Sequence, residues 1–584
     1  MKTQIYLHQT HHLLADFDAI FQSLTELVKG DGLHLFPELF LTGYPLQDLI
    51  LQRPFIDSYL GLLAEIDLWA KKRPKQNWRA LVGGPHYELE SDGVPKKIQN
   101  VIYEIIPGEG LKKIYSKRLL PNYDIFDEQK YFSAGNENCF YYFNGEIFGL
   151  QICEDMWAST FHQIDPCISM HQEAQEKKLN LSAIINLSAS PYNVSKQNKR
   201  YLRAQNISLL FKCPFIYLNR VGGEDEILFD GASFVCDGNQ TILKLKSFGP
   251  ESRALNLITN PSHYQLAPEL KHENTWEGLF EPGLNLKGPL PTIRTWSDEE
   301  CAEVLGALQF GLQEYARKSG FKKFLIALSG GIDSALVLAI VKLSLKPGQN
   351  VEAIYMPSIY SASLSTELSE EMCRRLDIKL SYFPIKFLHS TIKNAFTQTF
   401  SEPFSGLTDE NVQSRLRGTL LYTRSNQTGA MVINTSNKSE LAVGYSTQYG
   451  DSVGAISLLG DLYKTEVYQL TNYINRTYGH IIPEGIVNRG PSAELRLGQL
   501  DQQSLPPYEH LDPILEGILS YRLGRKQLLD LGFSDEEVTK VLHLYVKSEY
   551  KRAQFCPIIK IKAKSFGFGY RVPISKDFNY QLNS

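Results

Sequence analysis

From the first residues to about position 274 the chain repeats one pattern. Short apolar runs rich in β-branched and aromatic residues alternate with longer amphipathic segments, as strands and covering helices do in an α/β layer architecture. The stretch HENTWEGLFEPGLNLKGPLPTIRTW then interrupts the pattern with prolines and glycines. It predicts a linker over 275–295 between domains at 1–274 and 296–584. SDEECAEVLGALQFGLQEYARKSG reads as an amphipathic helix, with Ser297 as N-cap and Glu300 completing a capping box. Next comes KKFLIALSGGIDSALVLAIV: a short apolar run at 324–328, a glycine turn, and a helix-length apolar run from Ala335. VEAIYMPS and AMVINTSNKSE predict further parallel strands whose carboxyl ends lie beside that turn.

Composition narrows the classes. A chain of 584 residues exceeds one hydrophobic core, so at least two domains are expected. The net charge of -4, without a long block of like charge, argues against nucleic acid as partner. No apolar stretch approaches the roughly 18 residues of a membrane span, and the N-terminus lacks a signal-peptide core. A cytoplasmic protein is expected. The 8 cysteines form no CxxC pairs, which disfavours a disulfide framework or a zinc ribbon.

The glycine turn is suited to phosphate. Gly330 and Gly331 let backbone approach a ligand, and the N–H groups at the start of the following helix, around Ile332, face an anion favourably. Ser329 and Ser334 add hydroxyls. Asp333 would repel phosphate unless a divalent cation bridges the two, which points to Mg²⁺. The stretch is not a Walker A loop, because it has no GK followed by Ser or Thr. SGGIDS resembles the pyrophosphate loop of the ATP pyrophosphatases. The fold this implies is a doubly wound parallel sheet of the adenine nucleotide α-hydrolase type, with ATP as co-substrate.

In the first half, strand-like runs end in Glu38, Lys117 and Cys153. A thiol with an ordinary pKa of about 8.5 is mostly neutral near pH 7, so a nucleophilic Cys requires a base or a cation beside it. PELFLTGYP, KRLLPNYDIFDEQKYF and QICEDMW resemble the signature segments of the nitrilase superfamily, most closely its glutamine-amidase branch. That resemblance implies an α-β-β-α sandwich in which Glu38 is the general base, Lys117 stabilises the oxyanion and Cys153 attacks the amide. It further implies that Glu128 holds the lysine and that Tyr44 and Tyr123 line the pocket. Glu154, Ser188, Ser190 and Lys196 are candidates to hold the ends of L-glutamine.

The second half resembles the NAD synthetases, through the segments around Asn411, Arg415 and Arg417, TSNKSE, GYSTQYGD, LGDLYKTEV and PSAEL. The resemblance implies amidation of the nicotinate carboxylate of deamido-NAD through an acyl-adenylate, giving NAD⁺, AMP and pyrophosphate. Ser329 to Ser334, Met356, Arg415 and Thr435 fall on the ATP side. Asn411, Glu440, Tyr445, Asp451 and Lys464 fall on the deamido-NAD side, and Asp333, Glu440 and Ser492 are the metal ligands. Gln448 and Leu459 depart from the Lys and Pro expected at their positions. The family also implies homo-oligomers, dimeric through the synthetase domains or octameric. Ammonia in neutral water is mostly ammonium, so an enclosed passage from Cys153 to the adenylate is expected. A glutamine amidotransferase with another acceptor, and a nitrilase-like binding protein with an inert ATP half, remain alternatives.

Overall fold

The computed structural model describes residues 3–157, 164–257, 261–264, 283–492 and 494–577. The chain divides into two units, Met1–Glu281 and Pro282–Ser584. Residues 275–282 of the expected linker lie outside the described residues. Its later part pairs Leu284–Asn285 with Thr292–Ile293 in an antiparallel ribbon, and Leu284 and Ile293 pack into the apolar core of the second unit.

The alternation of apolar and polar positions in the first unit resolves into a pair of six-stranded sheets. One runs Glu251–Asn256, Gln4–Gln9, Gly32–Leu35, Trp78–Leu89, Pro95–Ile106, Gly110–Ser116. The other runs Gln240–Lys244, Phe234–Asp237, Phe215–Asn219, Ala183–Ser188, Glu146–Ile152, Cys139–Phe143. Their inner faces meet through Leu7, Leu33, Leu35, Leu81 and Ile102 against Leu150, Ile152, Ile185, Leu187 and Ile216. The helix Arg53–Lys71 covers the outside of the first sheet, while Pro166–Glu176 and Lys196–Phe211 cover the second. This is the α-β-β-α sandwich, buried on both sides of each sheet, so its central strands carry near-continuous apolar runs.

In the second unit all pairings of the five-stranded sheet are parallel. The order is Leu380–Tyr382, Asn350–Tyr355, Lys323–Ala327, Met431–Asn434, Ile456–Ser457. The strand Lys323–Ala327 is therefore central, with the next strand in sequence on one side and a later one on the other. Open α/β sheets bind ligands at the carboxyl ends of strands where the order reverses in this way. Among the described residues no helix is long and apolar enough to cross a membrane.

The capping box forms as the sequence predicts. Glu300 N–H donates to Ser297 Oγ at 3.2 Å, and Ser297 N–H donates to Glu300 Oε2 at 2.9 Å, at the start of Asp298–Lys318. Ser297→Ala is expected to lower the stability of this unit by about 1 kcal/mol. Urea denaturation followed by circular dichroism reads the change, and an unaltered midpoint would show that the box is dispensable.

Candidate active sites

Three strand ends of the first unit converge on one buried point. Glu38 follows the strand Gly32–Leu35, Lys117 follows Gly110–Ser116 directly, and Cys153 follows Glu146–Ile152 directly. Lys117 Nζ donates to Glu38 Oε1 at 2.7 Å and to Glu128 Oε1 at 2.8 Å, and its side chain is 0% exposed. Burial alone would favour the neutral amine, but Glu128 and Glu38 outweigh it and hold Lys117 charged. Burial pushes Glu128 up to about 8 against the pull of Lys117.

Glu38 is fixed from further sides. Asn100 Nδ2 donates to its Oε1 at 2.7 Å, and the Ala189 N–H donates to its Oε2 at 2.7 Å. The backbone approach is equally tight at Gly83, where a Cβ would lie 2.4 Å from Leu39 N and 2.8 Å from Glu38 Cα. Cys153 has a φ of 41° and opens the single turn Cys153–Met156. In that turn Asp155 accepts N–H bonds from Ile152, Arg118 and Leu119 at 2.9, 3.1 and 2.9 Å, and the Tyr115 hydroxyl at 2.8 Å. One carboxylate thus ties the cysteine turn to the strand end that carries Lys117. Burial, then the Glu38 charge, pushes the Cys153 thiol well up, and Lys117 opposes them.

The other residues singled out in this half surround the thiol. Tyr44 donates to Glu128 Oε1 at 3.1 Å, and Tyr123 donates to both oxygens of Glu154 at 3.0 Å. Lys196 Nζ donates to the Pro191 carbonyl at 2.9 Å; burial, then Arg200, lowers it to about 8, while the charges of Cys153 and Glu154 raise it. Ser188 Oγ donates to Asn186 Oδ1 at 2.6 Å, and Asn186 Nδ2 donates to the Cys153 carbonyl at 3.3 Å. Ser190 Oγ accepts Arg200 Nη2 at 3.2 Å, and Arg200 is paired with Asp230 at 2.7 Å. Both serines are already engaged in bracing this floor.

In the second unit a cleft of about 240 Å³ opens at the carboxyl ends of the central strands. Ser329, Gly331, Ile332, Asp333, Ser334, Met356, Thr435, Glu440, Tyr445, Asp451, Lys464 and Ser492 all line it. Gly330 adopts a φ of 78°, and a Cβ there would lie 2.8 Å from the Ser365 carbonyl oxygen, so the turn requires glycine. Ser334 Oγ donates to the Gly331 carbonyl at 3.1 Å and closes the loop. Asp333 accepts Asn437 Nδ2 at 2.9 Å on one oxygen and the Lys464 ammonium on the other, with Glu440 Oε1 3.6 Å from the same ammonium. Burial and the Asp333 charge push Glu440 up to about 8.

Asn411 and Arg415 lie outside this lining: Asn411 Oδ1 accepts Thr447 Oγ1 at 2.8 Å, and the exposed Arg415 donates to the Gln448 carbonyl at 3.3 Å. Arg417 lines the cleft instead, donating to the Met356 carbonyl at 3.0 Å. Arg489 and Asp501 also line it and were not singled out from the sequence. Arg489 directly precedes the GPSAEL stretch and Asp501 sits in QLDQQSL, beside segments already noted. Ser492 Oγ donates to the Gln499 carbonyl. Among the described residues no three His, Cys, Asp or Glu side chains group to hold a metal ion. Asp333, Glu440, Asp451, Glu494 and Asp501 nevertheless outnumber Lys464, Arg417 and Arg489 in the lining. That hard-oxygen, anionic lining suits a divalent cation arriving with phosphate oxygens.

Comparisons with known proteins follow the same division. Residues 7–255 match the family model for carbon-nitrogen hydrolase, and residues 304–555 match that for NAD synthase. A glutamine-dependent NAD(+) synthetase of Synechocystis sp. is 35% identical over 96% of this chain and 95% of its own. The Thermotoga maritima protein of that name is 34% identical over the full length of both. The solved glutamine-dependent NAD+ synthetase of Acinetobacter baumannii, in complex with adenosine diphosphate, superposes with a TM-score of 0.68 at 29% identity, covering 98% of each chain. That of Cytophaga hutchinsonii superposes with a TM-score of 0.76 at 19% identity, covering 100% of this chain and 99% of its own, a likeness of fold.

The charges around Cys153 give a signed expectation. Glu38→Gln removes a negative neighbour and should move the pH midpoint of Cys153 alkylation down, whereas Lys117→Met should move it up. Peptide-resolved mass spectrometry after iodoacetamide treatment measures both. Midpoints that stay put in both variants would detach the thiol from this pair.

Proposed function

This chain belongs to the glutamine-dependent NAD(+) synthetases, and we propose that Cys153, Glu38 and Lys117 release ammonia from glutamine while the cleft around Asp333, Glu440 and Lys464 consumes it. The enzyme is a carbon-nitrogen ligase that amidates deamido-NAD to NAD⁺ with glutamine as nitrogen donor and ATP as co-substrate. The observation that carries this reading is that a Lys–carboxylate-flanked thiol in one unit and a glycine-turn cleft in the other occur in one polypeptide.

At the thiol, the Cys153 sulfur attacks the glutamine carboxamide carbon while Glu38 takes the S–H proton. Lys117 faces the oxygen on which charge builds, and its ammonium, already stripped of water, requires no reorganisation as that charge appears. Collapse of the tetrahedral adduct breaks the C–N bond, and the proton passes from Glu38 to the departing ammonia. Water then hydrolyses the thioester to glutamate and regenerates the thiol. Tyr44 and Glu128 keep Lys117 in place. Tyr123, Glu154 and Lys196 hold the charged end of glutamine, while Ser188 and Ser190, engaged with Asn186 and Arg200, brace the floor beneath it.

In the cleft, the nicotinate carboxylate oxygen attacks the α-phosphorus of ATP, and pyrophosphate leaves. Ammonia then adds to the acyl-adenylate carbonyl, and AMP leaves. The turn from Ser329 to Ser334 and Thr435 bind the phosphates, Met356 lies on the nucleotide side, and Lys464 and Arg417 meet negative charge. Tyr445 and Asp451 face deamido-NAD, and Asn411 and Arg415 act from the cleft's margin. Asp333 and Glu440, with Ser492, would hold Mg²⁺, which screens the repulsion between a carboxylate and a triphosphate. Only unprotonated ammonia attacks, which favours transfer without release to water. Apolar side chains exposed on Lys386–Phe400, among them Phe387, Leu388 and Phe400, support self-association. A cytoplasmic location agrees with this chemistry.

Cys153→Ala is expected to abolish glutamine-supported NAD⁺ formation and to leave the ammonium-supported rate within about twofold of the unaltered chain, because it removes only the nucleophile. Asp333→Ala should impair both. Product analysis by chromatography with ATP, deamido-NAD and either nitrogen source decides, and glutamine use that survives Cys153→Ala would refute the nucleophile.

A further inference from the structure

The short helix Lys438–Val443 carries Glu440, and the helix Lys464–Tyr478 begins with Lys464. Beneath the cleft both are joined by a buried charged network that the end of the chain completes. Residues 557–559 make an isolated parallel bridge to Ser457 at the sheet edge: Ser457 N–H donates to the Pro557 carbonyl at 2.8 Å, and Ile559 N–H donates to the Ser457 carbonyl at 3.1 Å. Asp461 Oδ1 accepts Lys438 Nζ at 2.8 Å, and its Oδ2 accepts the N–H groups of Ile561 and Lys562 at 2.7 and 2.6 Å. Lys438 Nζ donates in addition to the Lys564 carbonyl at 2.6 Å.

Lys562 occupies the centre of this arrangement. Its Nζ lies 2.8 Å from Glu466 Oε1 and 3.8 Å from Glu516 Oε2. Glu466 Oε2 accepts the N–H of Tyr463 at 2.9 Å, the cap of the helix that Lys464 opens. Tyr463 donates its hydroxyl to Glu516 at 2.9 Å, and the Lys562 ammonium stands 4.4 Å from the centre of its ring. The far end of the Glu440 helix is held from the same region: Ser548 Oγ donates to the Val443 carbonyl at 2.9 Å, and Lys551 Nζ donates to the Gly444 carbonyl at 2.7 Å. None of residues 557–564 lines the cleft.

We propose that Lys562 is a positioning residue for the amidation step, its ammonium setting Lys464, and with it the approach of Lys464 to Glu440, through Glu466 and the Tyr463 cap. The proposal rests on the reading that Lys464 and Glu440 act in the cleft. An ammonium enclosed by two carboxylates holds them in one arrangement, and its removal leaves a buried charge that rearranges to find water. A displacement of about 1 Å at a reacting group is enough to cost on the order of a hundredfold in rate.

The test is ammonium-supported NAD⁺ formation by the full chain with ATP and deamido-NAD, so that the glutamine site does not enter. Lys562→Met is expected to lower kcat about tenfold or more with the KM for ATP within about twofold, the division expected when placement at the reacting centre rather than binding is lost. Lys562→Arg, which keeps a cation between Glu466 and Glu516, should recover most of the rate. The pair Lys562→Met with Glu466→Gln removes the cation together with the nearer of its two carboxylates, leaves Glu516 to the Tyr463 hydroxyl and the Lys438 charge, and retains an acceptor for the Tyr463 N–H. It should melt near the temperature of the unaltered chain and still show the kcat loss. A folded pair with kcat within about twofold of the unaltered chain overturns the proposal. So does a kcat loss that Lys562→Arg fails to recover. In parallel, full activity of Lys464→Ala would refute the reading of the cleft itself, and the positioning role with it.

Discussion

An ammonium group taken out of water must be compensated where it stands, and this constraint shapes both units. Lys117 is enclosed by Glu38 and Glu128, Lys464 by Asp333 and Glu440, and Lys562 by Glu466 and Glu516. In each case the flanking carboxylates come from different segments of the chain. Desolvating the three groups costs several kcal/mol per ion, and their attraction offsets it only when the geometry is close and the remaining lone pairs are bonded. The surrounding hydrogen bonds meet that condition for the other carboxylates, whereas Glu128 Oε2 is buried with no partner. Asn100 and the Ala189 N–H complete Glu38, Asn437 completes Asp333, and the Tyr463 N–H and hydroxyl complete Glu466 and Glu516.

The arrangement explains how the fold serves chemistry that needs an unsolvated positive charge. In a flexible loop an ammonium would be screened by water and would lose most of its effect on a developing oxyanion. Here it is delivered by strand ends and helix starts, whose positions follow from sheets buried on both sides. The cost is a high demand on backbone placement. It is met by Gly83 against the Glu38 turn, by Gly330 against Ser365, and by Asp155, which gathers donors from the Cys153 turn and the Lys117 strand end.

Much of this was legible in the sequence because its signals are local. Apolar runs gave the strands, Ser297 and Glu300 gave a helix start, and Gly330–Gly331 gave the anion turn. Glu38, Lys117 and Cys153 stood out as reactive groups at the ends of runs that ought to be buried. What stayed hidden depends on contacts distant along the chain. Gly83 looks like one of many strand glycines until its neighbours are known, and Asp155 looks like a solvated acid two residues after the cysteine. Arg415 and Arg417 cannot be told apart by spacing, since the turn of a helix decides which one faces the cleft. Lys562 has the default appearance of a surface lysine in a polar tail, yet its side chain is buried.

Chains are synthesised from the amino end, and domains generally fold as they emerge. The first unit, closed within Met1–Glu281, has all its strands available long before synthesis ends. The second unit does not, because Ser457, Asp461 and Lys438 await partners at 557–564. A polypeptide cut short of residue 557 therefore leaves those three groups without their partners, while every strand of the first unit's two sheets is still present.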